Sequence, residues 1–189
     1  MTNAMVLLAG SISYALGAIA LVTPGDVSRP TPCADWDLGT LLRHLGESIA
    51  ALDEALLTGV IGINPVAYPA GDPVEMLRDR AADLLYSAFT ASEMPILVDG
   101  LPVSAGTIVT TGAVEIAVHG WDISAACGCD RPVPADIAGP LIQRLPQLVT
   151  AREGLFGPRV AVPRCASAGS QLVAYLGRDP SGPALVTGE

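Results

Sequence analysis

Lysine is absent from this chain. All ten basic residues are arginine, set against 19 acidic residues, for a formal net charge of -9. A surface of that sign repels phosphate backbones and offers no basic cluster to anionic lipid. Nucleic-acid binding and an electrostatic membrane anchor are therefore poor readings. Aromatic residues make up only 4%, so the core has to be built from Leu, Ala, Val and Ile, whose compact side chains suit closely packed helices. Cysteine is sparse too. Cys33, Cys127, Cys129 and Cys165 are too few in 189 residues for a disulfide scaffold. Cys127-Gly128-Cys129 is a Cys-x-Cys, not the Cys-x-x-Cys of redox motifs and zinc knuckles. The thiols read as small buried or loop residues, with a metal or redox role as the alternative. Histidine occurs only twice, as His44 and His119.

What the chain does contain is aliphatic. Half of it is hydrophobic, a globular composition in a length that fits one domain over 1–189. Residues 4–22 run 19 positions without a charge. Such a run reads as a membrane span, a signal peptide or the first helix of a bundle. Met1-Thr2-Asn3 carries no positive charge, and Ser11, Ser13 and Tyr14 interrupt the run. A buried helix over about 3–22 is the reading adopted, with a homodimer contact through the same apolar surface as a further expectation. Thr23-Pro24-Gly25 ends this helix, and residues 25–36 form a loop.

Asp37 is the natural N-cap of a second helix. Leu38, Leu41, Leu42, Leu45, Ile49, Leu52 and Leu56 follow at steps of three and four, one helix face running to about Leu57. Residues 58–71, rich in Gly and Pro, read as a loop. Asp72-Pro73-Val74-Glu75 reads as a cap, a first-turn proline and a capping box for a third helix to about Ala91. Two short runs flank Asp99-Gly100, a hairpin pattern that Pro102 confines to a sheet edge. A fourth helix is expected over about 105–126 and ends at Gly128. A fifth, over 134–151, should kink or break at Pro140 and Pro146. A short last helix spans about 167–176. The pattern is all-α apart from the hairpin, with no repeat and no sign of a second domain.

Chemistry gathers around the two histidines. Glu115 stands four residues before His119, so one helix face carries both side chains a turn apart. A third donor, His44 from another helix, would complete a set of two nitrogens and one oxygen, as bundles build metal sites from facing helices. The alternative for each residue is ordinary: a hydrogen-bonded core histidine, or a solvated i,i+4 contact. The setting weighs against it. Glu115 lies in Ala113-Val114-Glu115-Ile116-Ala117-Val118-His119, and a carboxylate in an apolar stretch is costly unless paired or bound to a cation.

Thr31-Pro32-Cys33-Ala34-Asp35-Trp36-Asp37-Leu38 with Leu41-Leu42-Arg43-His44-Leu45, and Glu115-Ile116-Ala117-Val118-His119-Gly120-Trp121-Asp122, resemble the two blocks of an actinobacterial family in the DinB/YfiT-like superfamily. Phe156-Gly157-Pro158 and Leu176-Gly177-Arg178-Asp179-Pro180 resemble its closing segment. That family includes mycothiol-dependent maleylpyruvate isomerase. The resemblance implies a four-helix bundle holding a divalent metal, usually zinc. Carried over by position, the ligands are His44, Glu115 and His119. The isomerase has a further C-terminal domain contributing to its active site, and this chain is short for it, so maleylpyruvate specificity is not carried over.

Asp122, three residues past His119, is a candidate hydrogen-bond acceptor for the His119 ring, with a helix–helix hydrogen bond as the equal alternative. Trp36 and Trp121 read as packing residues, Asp37 as a cap and Arg43 as solvent-facing. Three protein ligands leave a position open on zinc. That position suits activation of a low-molecular-weight thiol, which the resemblance implies is mycothiol, for conjugation to or isomerisation of an electrophilic small molecule. A hydrolase using zinc-bound water and a non-catalytic metal-binding or interaction protein are the alternatives. A cytoplasmic protein is expected.

Overall fold

The aliphatic steps of three and four become helices wherever no Gly-Pro cluster interrupts them. The computed structural model describes residues 3–33, 35–61, 71–90, 94–150, 152 and 156–181. Its elements in chain order are α1 (Asn3–Ile19), α2 (Leu38–Thr58), β1 (Val60–Ile61), α3 (Pro73–Thr90), β2 (Ile96–Val98), β3 (Leu101–Val103), α4 (Ala105–Ala126), α5 (Ala135–Leu148) and α6 (Ala168–Tyr175). α1 packs along α4, α4 against α2, α2 against α3, and α3 back onto α1. That closed ring is a four-helix bundle. α5 lies on α1 and α4, and α6 on α5 and α4.

The caps are those the residue types favour. Asp37 Oδ1 accepts the Thr40 N–H at 2.7 Å, and Gly59, at φ +73, ends α2 in the left-handed conformation a side chain resists. Asp72 Oδ1 accepts the Val74 N–H at 2.9 Å at the start of α3. Ser104 and Ser167 cap α4 and α6 through Thr107 N–H and Ser170 N–H, each at 3.1 Å.

α1 is a bundle helix. Leu7, Leu8, Ile12, Ala15, Ala18 and Ile19 are buried on it, and Val6 is its exposed large hydrophobic residue. Most of the apolar surface of this helix is thus buried inside the bundle. Among the described residues no helix is long and apolar enough to cross a membrane. α1 also ends earlier than expected. After Ile19, Leu21 N–H reaches Ala18 O and Val22 N–H reaches Ile19 O, a tightening to i→i−3 bonds that prepares the turn at Pro24.

Two departures concern the sheet and α5. Asp99-Gly100 turns the expected hairpin, both residues at positive φ (+48 and +75), and β3 with Pro102 lies at the sheet edge. A third strand was not expected. Val60 and Ile61, read as loop, pair in parallel with Leu97 and Val98. Two residues are too short to show alternation, so only proximity to β2 makes them a strand. Residues 62–70 of that loop lie outside the described residues. In α5, one helix runs through Pro140 and Pro146 to Leu148, so the break is absent. Each proline removes one backbone hydrogen bond, and burial of Ile137, Ala138, Leu141 and Leu145 on one face offsets that loss.

α6 docks through a glycine. A Cβ at Gly169 would meet the Val133 carbonyl oxygen at 2.5 Å and its nitrogen at 3.0 Å. Gly169→Ala should therefore destabilise the fold by about 1–3 kcal/mol, seen as a lower urea midpoint with an unchanged slope; an unaltered midpoint would show that α6 does not depend on this contact.

Candidate metal centre

α4 carries two charged residues in 22, Glu115 and Asp122, and both meet His119. The i,i+4 spacing puts Glu115 Oε1 3.1 Å from His119 Nε2, and the i,i+3 spacing puts Asp122 Oδ2 2.9 Å from His119 Nδ1. From α2, His44 Nε2 comes within 2.8 Å of the same Glu115 oxygen. One donor atom from each of His44, Glu115 and His119 lies within 4.8 Å of the others. Neighbouring ligand atoms around a tetrahedral zinc, with bonds near 2 Å, stand about 3.3 Å apart. The donor set fits such a cation after displacements of an ångström or so.

His119 is deeply placed, its side chain 6% exposed, whereas those of His44 and Glu115 keep 35% and 32%. The group therefore has a closed floor and an open mouth. That mouth gives onto a cavity of about 660 Å³, walled by Trp36, Val114, Val118, Phe156 and Arg178 among others. The Trp36 ring lies 4.6 Å from the His44 ring, centre to centre. It packs as expected but also forms cavity wall. Trp121 packs against the core, and Arg43 donates to Thr40 Oγ1 on the exposed side of α2.

The placements of three further residues at the site were not anticipated from the sequence. Arg178, nearly buried, donates from Nη2 to Asp122 Oδ2 at 2.9 Å and from Nε to Asp122 Oδ1 at 3.3 Å. Its Nη1 donates to Leu176 O at 3.0 Å. Ser48 Oγ donates to Glu115 Oε1 at 3.4 Å, and Cys33 lines the cavity. The segment around Arg178 was legible only as part of the closing resemblance. Nothing local in Leu176-Gly177-Arg178 points to an aspartate 56 positions back. Gly157 and Gly177 cross so closely that a Cβ on Gly177 would meet Gly157 Cα at 2.9 Å, which presses both against the cavity.

The model of the mycothiol maleylpyruvate isomerase N-terminal domain matches residues 11–124. The chain belongs to that family. Two uncharacterized proteins of Mycobacterium tuberculosis, from strains H37Rv and CDC 1551, are each 24% identical to it over 174 residues, 85% of this chain and 89% of theirs. The segment shared with the isomerase-domain family holds His44, Glu115, His119 and Asp122. Phe156, Gly157 and Arg178 lie beyond it.

Electrostatics tie these residues together. Asp122 is fully buried and ionised. Burial opposes its charge, but the hydrogen bond from His119 and the guanidinium of Arg178 outweigh burial and lower its pKa. A carboxylate can only accept, so the proton sits on His119 Nδ1 and Nε2 faces Glu115. Burial likewise opposes the charge on Glu115, and the positive His119 ring and hydrogen bonds from both imidazoles outweigh it, holding the carboxyl well below its usual range. For His119, burial favours the neutral ring. Glu115 and Asp122 prevail and raise its pKa from 6.5 to about 9. The Cys33 thiol is pushed up, chiefly by burial, so it is no ready nucleophile.

Two outcomes follow for the isolated protein. Without metal, the stabilisation from protonated His119 is complete below pH 6.5 and lost as pH rises through about 9. Unfolding free energy should drop by on the order of 3 kcal/mol across that window. Urea titrations at pH 6 and 9.5 would show the drop, and His119→Gln should flatten it. Asp122→Asn and Arg178→Gln should each weaken zinc binding about 10–100-fold by freeing the His119 ring, measured by competition with a chelator; wild-type affinity in both would deny the two residues any part in orienting it.

Proposed function

We propose that this protein is a metal-dependent enzyme in which His44, Glu115 and His119 hold a divalent cation, zinc, that activates a low-molecular-weight thiol. Mycothiol is the thiol the family points to. The reaction is conjugation of the thiol to an electrophilic small molecule, or reversible addition that isomerises an activated alkene. The observation that carries this reading is the convergence of three donors, the only three so gathered among the described residues, at the mouth of a cavity with room for two small reactants.

When bound there, the cation supplies Lewis acidity that makes the thiolate available near neutral pH. The chain's own residues do the rest. Asp122 fixes the His119 tautomer that presents Nε2. Glu115 brings a single negative charge, so the centre keeps net positive charge towards an anionic sulfur. Trp36, Val114, Val118 and Phe156 give the cavity apolar walls, which lower the screening of charges beside them.

Hydrolysis fits less well. Activating water for attack calls for a further carboxylate as base. Among the described residues of the cavity wall the one carboxylate is Glu115, and Asp122 is engaged by His119 and Arg178. The four cysteines are free, in keeping with a reducing compartment, and a cytoplasmic location belongs to this proposal.

Elemental analysis of untagged protein purified without added metal should find about one zinc per chain, and His119→Ala should abolish it. Equal metal content in the two would overturn the ligand assignment. With zinc bound, mycothiol and a panel of activated alkenes and alkyl halides should give thiol loss that falls at least ~100-fold in His119→Ala. A zinc-loaded protein that turns over none of them while forming a stable complex with another protein would favour the non-catalytic alternative.

A further inference from the structure

We infer that the electrophile taken by this centre carries an apolar arm, received by a second cavity between α2 and α4. The inference rests on the metal centre proposed above. This cavity, of about 230 Å³, is walled by Ala51, Leu52, Ile61, Ile108, Gly112 and Ile116. Among the described residues its one ionised wall residue is Glu115, which also walls the larger cavity. The carboxylate assigned to the metal thus stands in the wall of both chambers. The larger one adds Arg178, Cys33 and the imidazoles to Trp36, Val114, Val118 and Phe156. The smaller one has aliphatic side chains, with Ser48 beside Glu115 and Thr111 near the rim.

The wall of the smaller chamber is close-packed where α4 meets α2: Gly112 lets Leu52 sit where a side chain would stand, a Cβ there meeting Leu52 Cδ2 at 2.3 Å. Ala51 on α2 projects a single methyl. An apolar chamber gives water few hydrogen-bond partners, so hydrocarbon displaces water from it at a gain of about threefold to fourfold in affinity per methylene. A hydrophilic thiol finds the guanidinium of Arg178 and the imidazoles in the larger chamber. The two reactants are thereby sorted: thiol on the Arg178 side, hydrocarbon on the Gly112 side, with the reacting carbon held between them at Glu115. At about 30 Å³ per small group, the chamber holds an alkyl or aryl arm of roughly six to eight carbons.

Alkyl hydroxamates test this without knowledge of the natural substrate, because the head chelates zinc and the tail explores the chamber. Titration calorimetry of zinc-loaded protein with acetohydroxamate through decanohydroxamate should show affinity rising about threefold per methylene. The rise should stop near six to eight carbons. Ala51→Phe fills the chamber and should make aceto- and octanohydroxamate bind alike. Ile108→Gln, which lines it with an amide from the other helix, should flatten the series if Ala51→Phe does not fold. A flat series in the wild-type protein, or a rise that survives these substitutions, would overturn the apolar arm while leaving the metal centre standing. Protein that takes up no zinc and binds no acetohydroxamate would bring down both.

Discussion

A carboxylate on an otherwise almost uncharged helix has to find positive charge, and the rest of this site is arranged around that need. Glu115 sits mid-way along α4 among Val114, Ile116, Ala117 and Val118, in the wall of the bundle. One of its oxygens faces two imidazole nitrogens at 2.8 and 3.1 Å. Without a cation, the pairing is completed by a proton on His119. With one bound as proposed, the same three atoms would become ligands and the proton would have to leave. The bundle thus holds a site that is electrostatically satisfied in either state, which keeps α2 and α4 in register whether or not metal is present.

The second carboxylate of α4 solves the same problem differently. Asp122 has no exposed surface and is answered by His119 on one side and Arg178 on the other. That ion pair joins the bundle to the chain's closing segment, because Arg178 follows α6 and the Gly157–Gly177 crossing holds it in place. A buried pair of this kind is weak support for stability on its own. Its value here is geometric: it fixes the direction of one imidazole and builds the far wall of the larger cavity from residues outside the family's shared segment. The three candidate ligands thus stand on α2 and α4, while Phe156, Gly157, Leu176, Gly177 and Arg178 supply part of the larger cavity's wall from the loop before α6 and the segment after it.

Much of this was legible in the sequence because the rules involved are local. Helix periodicity, the Asp37 and Asp72 caps, the Asp99-Gly100 turn and the edge placement of Pro102 each depend on a few neighbouring residues. The three candidate ligands were legible from the scarcity of histidine, the i,i+4 spacing to Glu115 and the resemblance of both blocks. What failed was equally physical. Pro140 suggested a break because a missing hydrogen bond is visible in sequence, whereas the buried face that offsets it depends on α1, α4 and α6. Val60-Ile61 carried no strand pattern, because a two-residue strand exists only by virtue of its partner.

The sequence by itself therefore determined the helices, their caps and the identity of the residues able to ligate a cation, since backbone preference and donor chemistry reside in each residue. The tertiary structure alone decided that Arg178 answers Asp122 across 56 positions, that Glu115 stands in the wall of two cavities, and that most of α1's apolar side is covered. Those outcomes depend on which surfaces meet when helices pack, and shape complementarity over long separations leaves no periodic trace along the chain.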